Sequence, residues 1–339
     1  RFLNLEFRTR TDCDWADAGH LVAWEQLELA SKQKPARRKT RASRAAQVTR
    51  SEDTCVVEID GLHAAFDFGK GHLSSLRYEG DIVVTQGPRL QLWRAPTDND
   101  GLKNLPKRDN KALGRWRELG LDRPLVCEPV SSTFARRRGG QVMVSLKNRY
   151  PLRNRGQRVE HRQDYLLGPD GLLEISHDVR MVGRTLRDLP RVGTRVDLAE
   201  GFDSLRYLGR GPLETYCDRK SGEKIGLYEN SVHGEYVDYV VPQEHGHHTD
   251  TRWLELVSAS GRVLRVQGHP TLEFNATLYS TEALYAASHT IDLDPSPHTI
   301  LYLDHVHRGL GTGACGPDAL PHYQINGRRY RWTETWRIA

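Results

Sequence analysis

Three stretches of the sequence concentrate side chains able to do chemistry. Glu244-His245-Gly-His247-His248 places three imidazoles and a carboxylate within five positions, and neutral imidazole nitrogens are common metal ligands. The stretch follows Pro242 and has no assignable distant fourth ligand, so a structural loop is the expected reading and a metal site the alternative. Asp304-His305-Val-His307 closes an apolar run from Ile300 to Leu303. Alternation along a strand puts His305 and His307 on one face, where they contact a sugar or water, or else form a satisfied pair at a strand end. Gly311-Thr-Gly313-Ala-Cys-Gly316 has GxGxxG spacing, but Pro317 follows at once and only about two dozen residues remain. A dinucleotide site needs a helix, a second strand and an acid after its glycines, so a glycine-rich turn is expected instead.

Other catalytic patterns are missing. No GxSxG elbow occurs. The five cysteines, Cys13, Cys55, Cys127, Cys217 and Cys315, are odd in number, scattered and never in a CxxC pair, which indicates neither a disulfide framework nor a cysteine zinc site. General acid and base cannot be singled out among 44 acidic residues. Two polar clusters beside prolines stand out: Arg94, Asp98, Asn99 and Asp100 around Pro96, and Glu214, Asp218 and Arg219 after Gly211-Pro212. Carboxylates in such loops cap backbone amides and pair with guanidinium groups, so salt-bridged loops are favoured over sugar ligands.

The elements that must carry these residues are strands. Apolar residues alternate at Phe2 to Phe7 and again at Leu21 to Leu29, which predicts a hairpin. Residues 31–50 are rich in Lys, Arg, Ala and Ser and read as a solvated linker, with a nucleic-acid arm disfavoured because no aromatics interleave the charges. From Cys55 onward short period-two runs recur between Gly, Pro, Asp and Asn clusters, at Cys55 to Ile59, Leu172 to Val182, Thr299 to Leu303 and Tyr330 to Trp336 among others. The pattern predicts a large antiparallel β-sandwich and disfavours βαβ units. Only Ala112 to Gly120 reads as a short helix.

Composition sets the outer bounds. With 339 residues, 37% apolar and 27% charged, 30 Gly and 16 Pro, the chain is long enough for about two domains with a real core and is neither collagen-like nor a coiled coil. A net charge of +5 is small for this length and implies no polyanionic partner. No apolar run reaches the ~18 residues of a membrane span. The chain opens at Arg1 without an initiator Met or a signal segment, so cytoplasmic origin and either processing or excision from something larger are expected.

Two long motifs carry a resemblance. Leu92-Trp-Arg-Ala-Pro-Thr-Asp-Asn-Asp-Gly101 and Tyr207-Leu-Gly-Arg-Gly-Pro-Leu-Glu-Thr-Tyr-Cys-Asp-Arg-Lys220, the second continued by Tyr239-Val-Val-Pro-Gln-Glu-His-Gly246, resemble the C-terminal domain of family-two β-galactosidases. Leu189-Pro-Arg-Val-Gly193 and Arg308-Gly-Leu-Gly-Thr-Gly-Ala-Cys-Gly-Pro317 are similar to the same family, and residues 15–26 resemble the end of the immunoglobulin-like domain that precedes it. The resemblance implies a galactose mutarotase-like sandwich over residues 51–339, after the end of an immunoglobulin-like sandwich over 1–30 and the basic linker at 31–50.

It also implies a function. Such enzymes hydrolyse terminal β-D-galactosides with retention, using two glutamates of a (β/α)8 barrel outside this sequence. No catalytic residue, metal ligand or cofactor is therefore expected in this chain, magnesium is expected in the barrel, and the chain alone is expected to be inactive. Its expected partners are the substrate, the barrel portion or a large subunit, and further copies of the complete enzyme, with no nucleic acid and no membrane. The chain's own part is to shape the substrate pocket and an oligomer interface. Cys315 stands where some family members carry a Trp that stacks on the sugar, so it either borders a wider pocket or is a buried small residue in a turn. Cys315, His307, Asp304 and His305 are the substrate-binding candidates, and Glu244 joins the structural motif loops. A stand-alone carbohydrate-binding module and a sugar epimerase using His305 or His307 as acid are the alternative readings.

Overall fold

The computed structural model describes residues 1–30, 46–104, 111–169, 171–183 and 186–339. The charged stretch from Lys32 to Arg44 lies outside the described residues. The chain divides into two units, residues 1–39 and 40–339. In the first, β1 (Phe2–Arg8) pairs antiparallel with β2 (Leu21–Glu28). This is the expected hairpin.

The second unit is an antiparallel sheet of sixteen strands among the described residues. Its first part contains β3 (Gln47–Arg50), β4 (Thr54–Ile59), β5 (Leu62–Asp67), β6 (His72–Tyr78), β7 (Asp81–Gln91), α1 (Ala112–Leu119), β8 (Glu128–Arg136), β9 (Val142–Pro151), β10 (Arg158–Leu167) and β11 (Leu172–Val182). The second part contains β12 (Arg191–Glu200), β13 (Phe202–Gly211), β14 (Lys224–Ser231), β15 (His248–Ser258), β16 (Val263–Thr277), α2 (Thr281–Ala286), β17 (His298–His307) and β18 (Arg329–Ile338). The spatial order is β3-β4-β5-β6-β7-β12-β17-β16-β18-β11-β10-β9-β8, with β15, β13 and β14 branching from β16. Because β3 pairs with β4, the sheet takes in Gln47–Arg50, and the linker expected to run to residue 50 ends before it.

The branch explains how one sheet makes two layers. β16 pairs with β18 over Leu264 to His269 and with β17 over Glu273 to Thr277. Partner exchange along a bent strand turns a sheet over on itself. The faces thus brought together bury Val57, Ala64, Phe66, Val144, Tyr165, Leu205, Leu254, Val266 and Leu303 in one core. A second cluster forms around α1, whose Ala112, Leu113, Trp116 and Leu119 fall on one face and are buried against Leu92, Trp93, Val179 and Trp332. Gly120, left-handed at φ 77°, ends the helix.

A buried polar chain crosses β10, β11 and β18. His161 Nε2 lies 3.1 Å from His177 Nδ1, His177 Nε2 lies 3.5 Å from Glu334 Oε1, and Trp336 donates its indole N–H to the same oxygen at 3.1 Å. Burial pushes the Glu334 carboxyl up to about 8 and His177 down to about 3. Both groups are therefore neutral near pH 7. An acid whose folded value is raised binds more protons folded than unfolded, so its contribution is full below the unfolded value near 4.5 and is lost as pH rises toward about 8. His177 acts oppositely, adding stability as pH rises from about 3 to 6.5. Between 6.5 and 8 only the Glu334 effect remains. Glu334→Gln keeps the acceptor for Trp336, so urea unfolding at pH 8 should find the variant more stable by on the order of 2–4 kcal/mol, about 1.4 per unit of displacement. At pH 5 the gain should nearly vanish, and an equal gain at both values would refute the neutral assignment.

Candidate functional site

The site forms where β12 begins and β17 ends. Arg191 pairs with His307, Val192 with Val306 and Gly193 with Asp304, leaving His305 as an extra residue. This is a β-bulge, and it shifts the alternation by one position. Asp304 and His307 consequently both turn inward, each 1% exposed, while His305 turns out and stacks on Trp332 at 5.3 Å between centroids. The expectation that His305 and His307 share a face is corrected, because the bulge breaks the period on which it rested. Gly193 is required here: a Cβ would lie 2.0 Å from Asp304 Oδ1 and 2.5 Å from the Leu303 carbonyl.

The inward residues meet the loop that leads into β15. Glu244, anchored by its N–H to the Ala95 carbonyl at 3.2 Å, lies 3.1 Å from Arg191 Nη2, which is also 2.9 Å from Asp304 Oδ2. His247 lies 3.2 Å by Nε2 from Glu273 Oε2 and 3.8 Å by Nδ1 from Asp304 Oδ2. Its ring centroid is 4.3 Å from that of His307. Asn275 donates to Glu244 Oε1 at 3.5 Å and to the His245 carbonyl. Burial lowers His247 to about 4 and His307 well below the usual histidine range, so both are neutral. Burial likewise raises Asp304 to about 6 and Glu273 to about 8. For Arg191 burial works against the charge, but Asp304 and Glu244 outweigh it and hold the guanidinium protonated. The neighbouring histidines disperse: His245 contacts the Gln243 carbonyl and His248 contacts Glu235.

A second ion network adjoins the first. Arg94 makes a bidentate pair with Asp100, at 2.6 and 3.1 Å, and donates to the Arg308 carbonyl at 2.6 Å. Arg308 in turn reaches Asp188 at 2.5 Å, Asp318 at 2.7 Å and Asp100 at 3.3 Å. Arg94 and Arg308 both lie over the Trp116 ring. Arg115 closes the network onto Asp188 and Asp318. On its outer side lies a cleft of about 680 Å³ bordered by Arg115, Arg187, Asp188, Asp318 and Arg328.

Side chains flanking the two networks hold the glycine-rich turn. Asp218 accepts the backbone N–H groups of Leu310 and Gly311 at 2.9 and 2.7 Å. Asn99 donates to the Gly311 carbonyl at 2.9 Å and accepts from Ala314 at 3.1 Å. Lys111 donates to the Gly313 carbonyl. Cys315 sits at the exposed tip, which overturns the buried-turn alternative for this residue. Glu214 accepts from Tyr239 at 2.5 Å and from the Gly246 N–H at 2.8 Å and pairs with Arg219. Burial opposes its charge, but these donors prevail and lower its pKa. Asp98 is exposed, its backbone N–H bonded to Gln243.

Asp304 and His307 have no edge at the surface of this chain, so a direct sugar contact from them has no geometric support. Arg191, Arg308, Asp188, Asp318 and Glu273 were not singled out from the sequence. The signal for the two arginines lay inside the motifs at 189–193 and 308–317, since a buried Arg must be matched by acids. What the arrangement does chemically is position a loop: beside charged residues at 0–1% exposure, half-buried Asp218, Asn99 and Lys111 hold a glycine-rich turn with a thiol at its tip.

The family described as "Beta galactosidase small chain" matches residues 58–336, and that described as "Beta-galactosidase, domain 4" matches residues 1–30. The chain is 32% identical over 341 residues to a β-galactosidase of Priestia megaterium, covering 99% of this chain and 31% of that protein. A β-galactosidase of Kluyveromyces lactis is 29% identical over 329 residues, covering 95% of this chain and 31% of that protein. The chain thus spans about a third of the length of the curated relatives it matches. Among solved structures, an aldose epimerase homologue from C. elegans has a TM-score of 0.45 at 10% identity, covering 84% of this chain and 99% of that one.

Proposed function

Since the chain belongs to the β-galactosidase small-chain family, we propose that it serves a β-galactosidase that hydrolyses terminal β-D-galactosides with retention. Retention needs two carboxyl groups about 5–5.5 Å apart facing one glycosidic bond, one as nucleophile and one as acid/base. We assign both to a barrel outside this chain, together with the magnesium such a barrel would hold. The observation that carries the chain's own role is the anchored glycine-rich turn with Cys315 exposed at its tip. Placed at the mouth of the barrel, the turn would close one side of the sugar pocket, and a thiol there leaves more room than an indole. We place the complete enzyme in the cytoplasm as a homo-oligomer.

The test is hydrolysis of a chromogenic β-galactoside by this chain alone, and by this chain mixed with the separately produced barrel portion of the same enzyme. The expected result is no turnover alone and restored turnover in the mixture. Turnover by the repurified chain alone would put the nucleophile and acid among its own carboxylates. A mixture no more active than the barrel portion would remove the pocket-completing role.

A further inference from the structure

We propose that Glu244, His247 and His307, with Asp304 beside them, form a buried structural site for a zinc-type divalent ion at the base of the glycine-rich turn. The inference does not depend on the hydrolytic reading above. It rests on donor geometry: the ligand atoms of Glu244, His247 and His307 all lie within 4.8 Å of one another. His307 Nε2 is 3.6 Å from Glu244 Oε1, and Asp304 Oδ2 is 3.8 Å from His247 Nδ1. A tetrahedral ion with ligands at ~2.0–2.2 Å separates them by roughly 3.3–3.6 Å, so on binding the cluster draws in from within 4.8 Å.

Which atoms lack partners is the second, independent observation. His247 Nδ1, His307 Nε2 and both carboxylate oxygens of Asp304 are buried without a hydrogen-bond partner among the described residues. The Asp304 contact to Arg191 is an ion pair without hydrogen-bond alignment. Unpartnered buried polar atoms are costly, and those of His247 and His307 belong to one three-residue cluster, with Asp304 3.8 Å from His247. The outer ring nitrogens, by contrast, are engaged. His247 Nε2 faces Glu273 at 3.2 Å, and His307 Nδ1 faces the Arg308 carbonyl at 3.0 Å. A carboxylate or carbonyl on the far nitrogen is the arrangement that orients metal-bound histidines, leaving the inner lone pair for the ion. Arg94 Nη1, 3.2 Å from His307 Nδ1, already has the Arg308 carbonyl at 2.6 Å.

The donor set selects the ion. Two imidazoles with carboxylates suit zinc and its neighbours better than magnesium or calcium, which prefer oxygen alone. Full burial means that the ion enters as the chain folds and that its binding adds to folding stability.

The test uses the full chain produced in zinc-replete and in cobalt-replete medium. About one equivalent of tightly held zinc and a Tm several degrees above that of chain produced without added metal are expected. The cobalt form should show the intense visible absorption of a tetrahedral centre. His247→Asn should lose the equivalent with unchanged far-UV circular dichroism. If that variant does not fold, the wild-type cobalt spectrum decides: octahedral or absent absorption overturns the site. Zinc content well below one equivalent overturns it too, as does an equivalent retained by both His247→Asn and His307→Gln.

Discussion

Replacing Arg308 with methionine should lower the stability of the large sheet unit by ~3–5 kcal/mol, the cost of leaving buried charges without their partner. Arg308 is 0% exposed and its three nitrogens reach Asp188, Asp318 and Asp100. Methionine fills similar volume over Trp116, so the loss reports the charges and not a cavity. Arg115, about a third exposed, would be left alone with Asp188 and Asp318. Lysine should not rescue, since one ammonium cannot span three carboxylates that a planar guanidinium bridges. Denaturant unfolding at pH 7 gives the number, and a loss under ~1 kcal/mol would mean that the network behaves like surface pairs.

The same variant has a pH signature. Burial would raise Asp318, but Arg308 and Arg115 hold it down at about 2. A depressed carboxylate contributes stability that is present above its unfolded value near 3.8 and lost as pH falls through about 2. Without Arg308 most of that contribution is absent at every pH. The destabilisation caused by the variant should therefore shrink as pH falls from near 3.8 toward 2, and a loss that stays constant across that window would count against the assignment.

Asp218→Ala carries the second large expectation, and it rests on the placement of the glycine-rich turn beside the sugar. The side chain holds the N–H groups of Leu310 and Gly311 and is a positioning residue. Loss of both bonds should free the turn without unfolding the sheet and cut kcat/KM of the complete enzyme by ~10²-fold, the scale of a 1 Å misplacement. Asp218→Asn, which keeps one strong acceptor, should recover part of the loss. Hydrogen exchange separates the structural claim from the functional one. The Leu310 and Gly311 amides should exchange faster in Asp218→Ala whatever happens to turnover. Unchanged exchange would remove the anchoring role itself; faster exchange with full activity would remove the turn from the pocket.

How far the site was legible depended on the range of each signal. The strands at 172–182 and 330–336, the hairpin at 1–30 and the helix ending at Gly120 follow from alternation and turn chemistry between near neighbours. The polar clusters at Arg94 to Asp100 and at Glu214 to Arg219 were readable as salt-bridged loops for the same reason, since Arg94 meets Asp100 six positions away. Their other partners were not. Arg308 meets Asp100 across 208 positions and Asp188 across 120, and no local pattern names a partner at that distance. A linker reaching residue 50 overshoots because β3 is only four residues and too polar to stand out from the charged stretch before it.

The histidines divide along the same line. By itself the sequence determined that His245, His247, His305 and His307 sit at loop and strand ends, and that the family motifs run in order along an all-β chain. Only the tertiary structure decided that a bulge sends His305 outward and His307 inward, and that His307 meets Glu244 and His247 from another strand end. Alternation is set by backbone geometry one residue at a time. Register, burial depth and convergence belong to strands paired across the whole chain, and exist only once the sheet has closed over them.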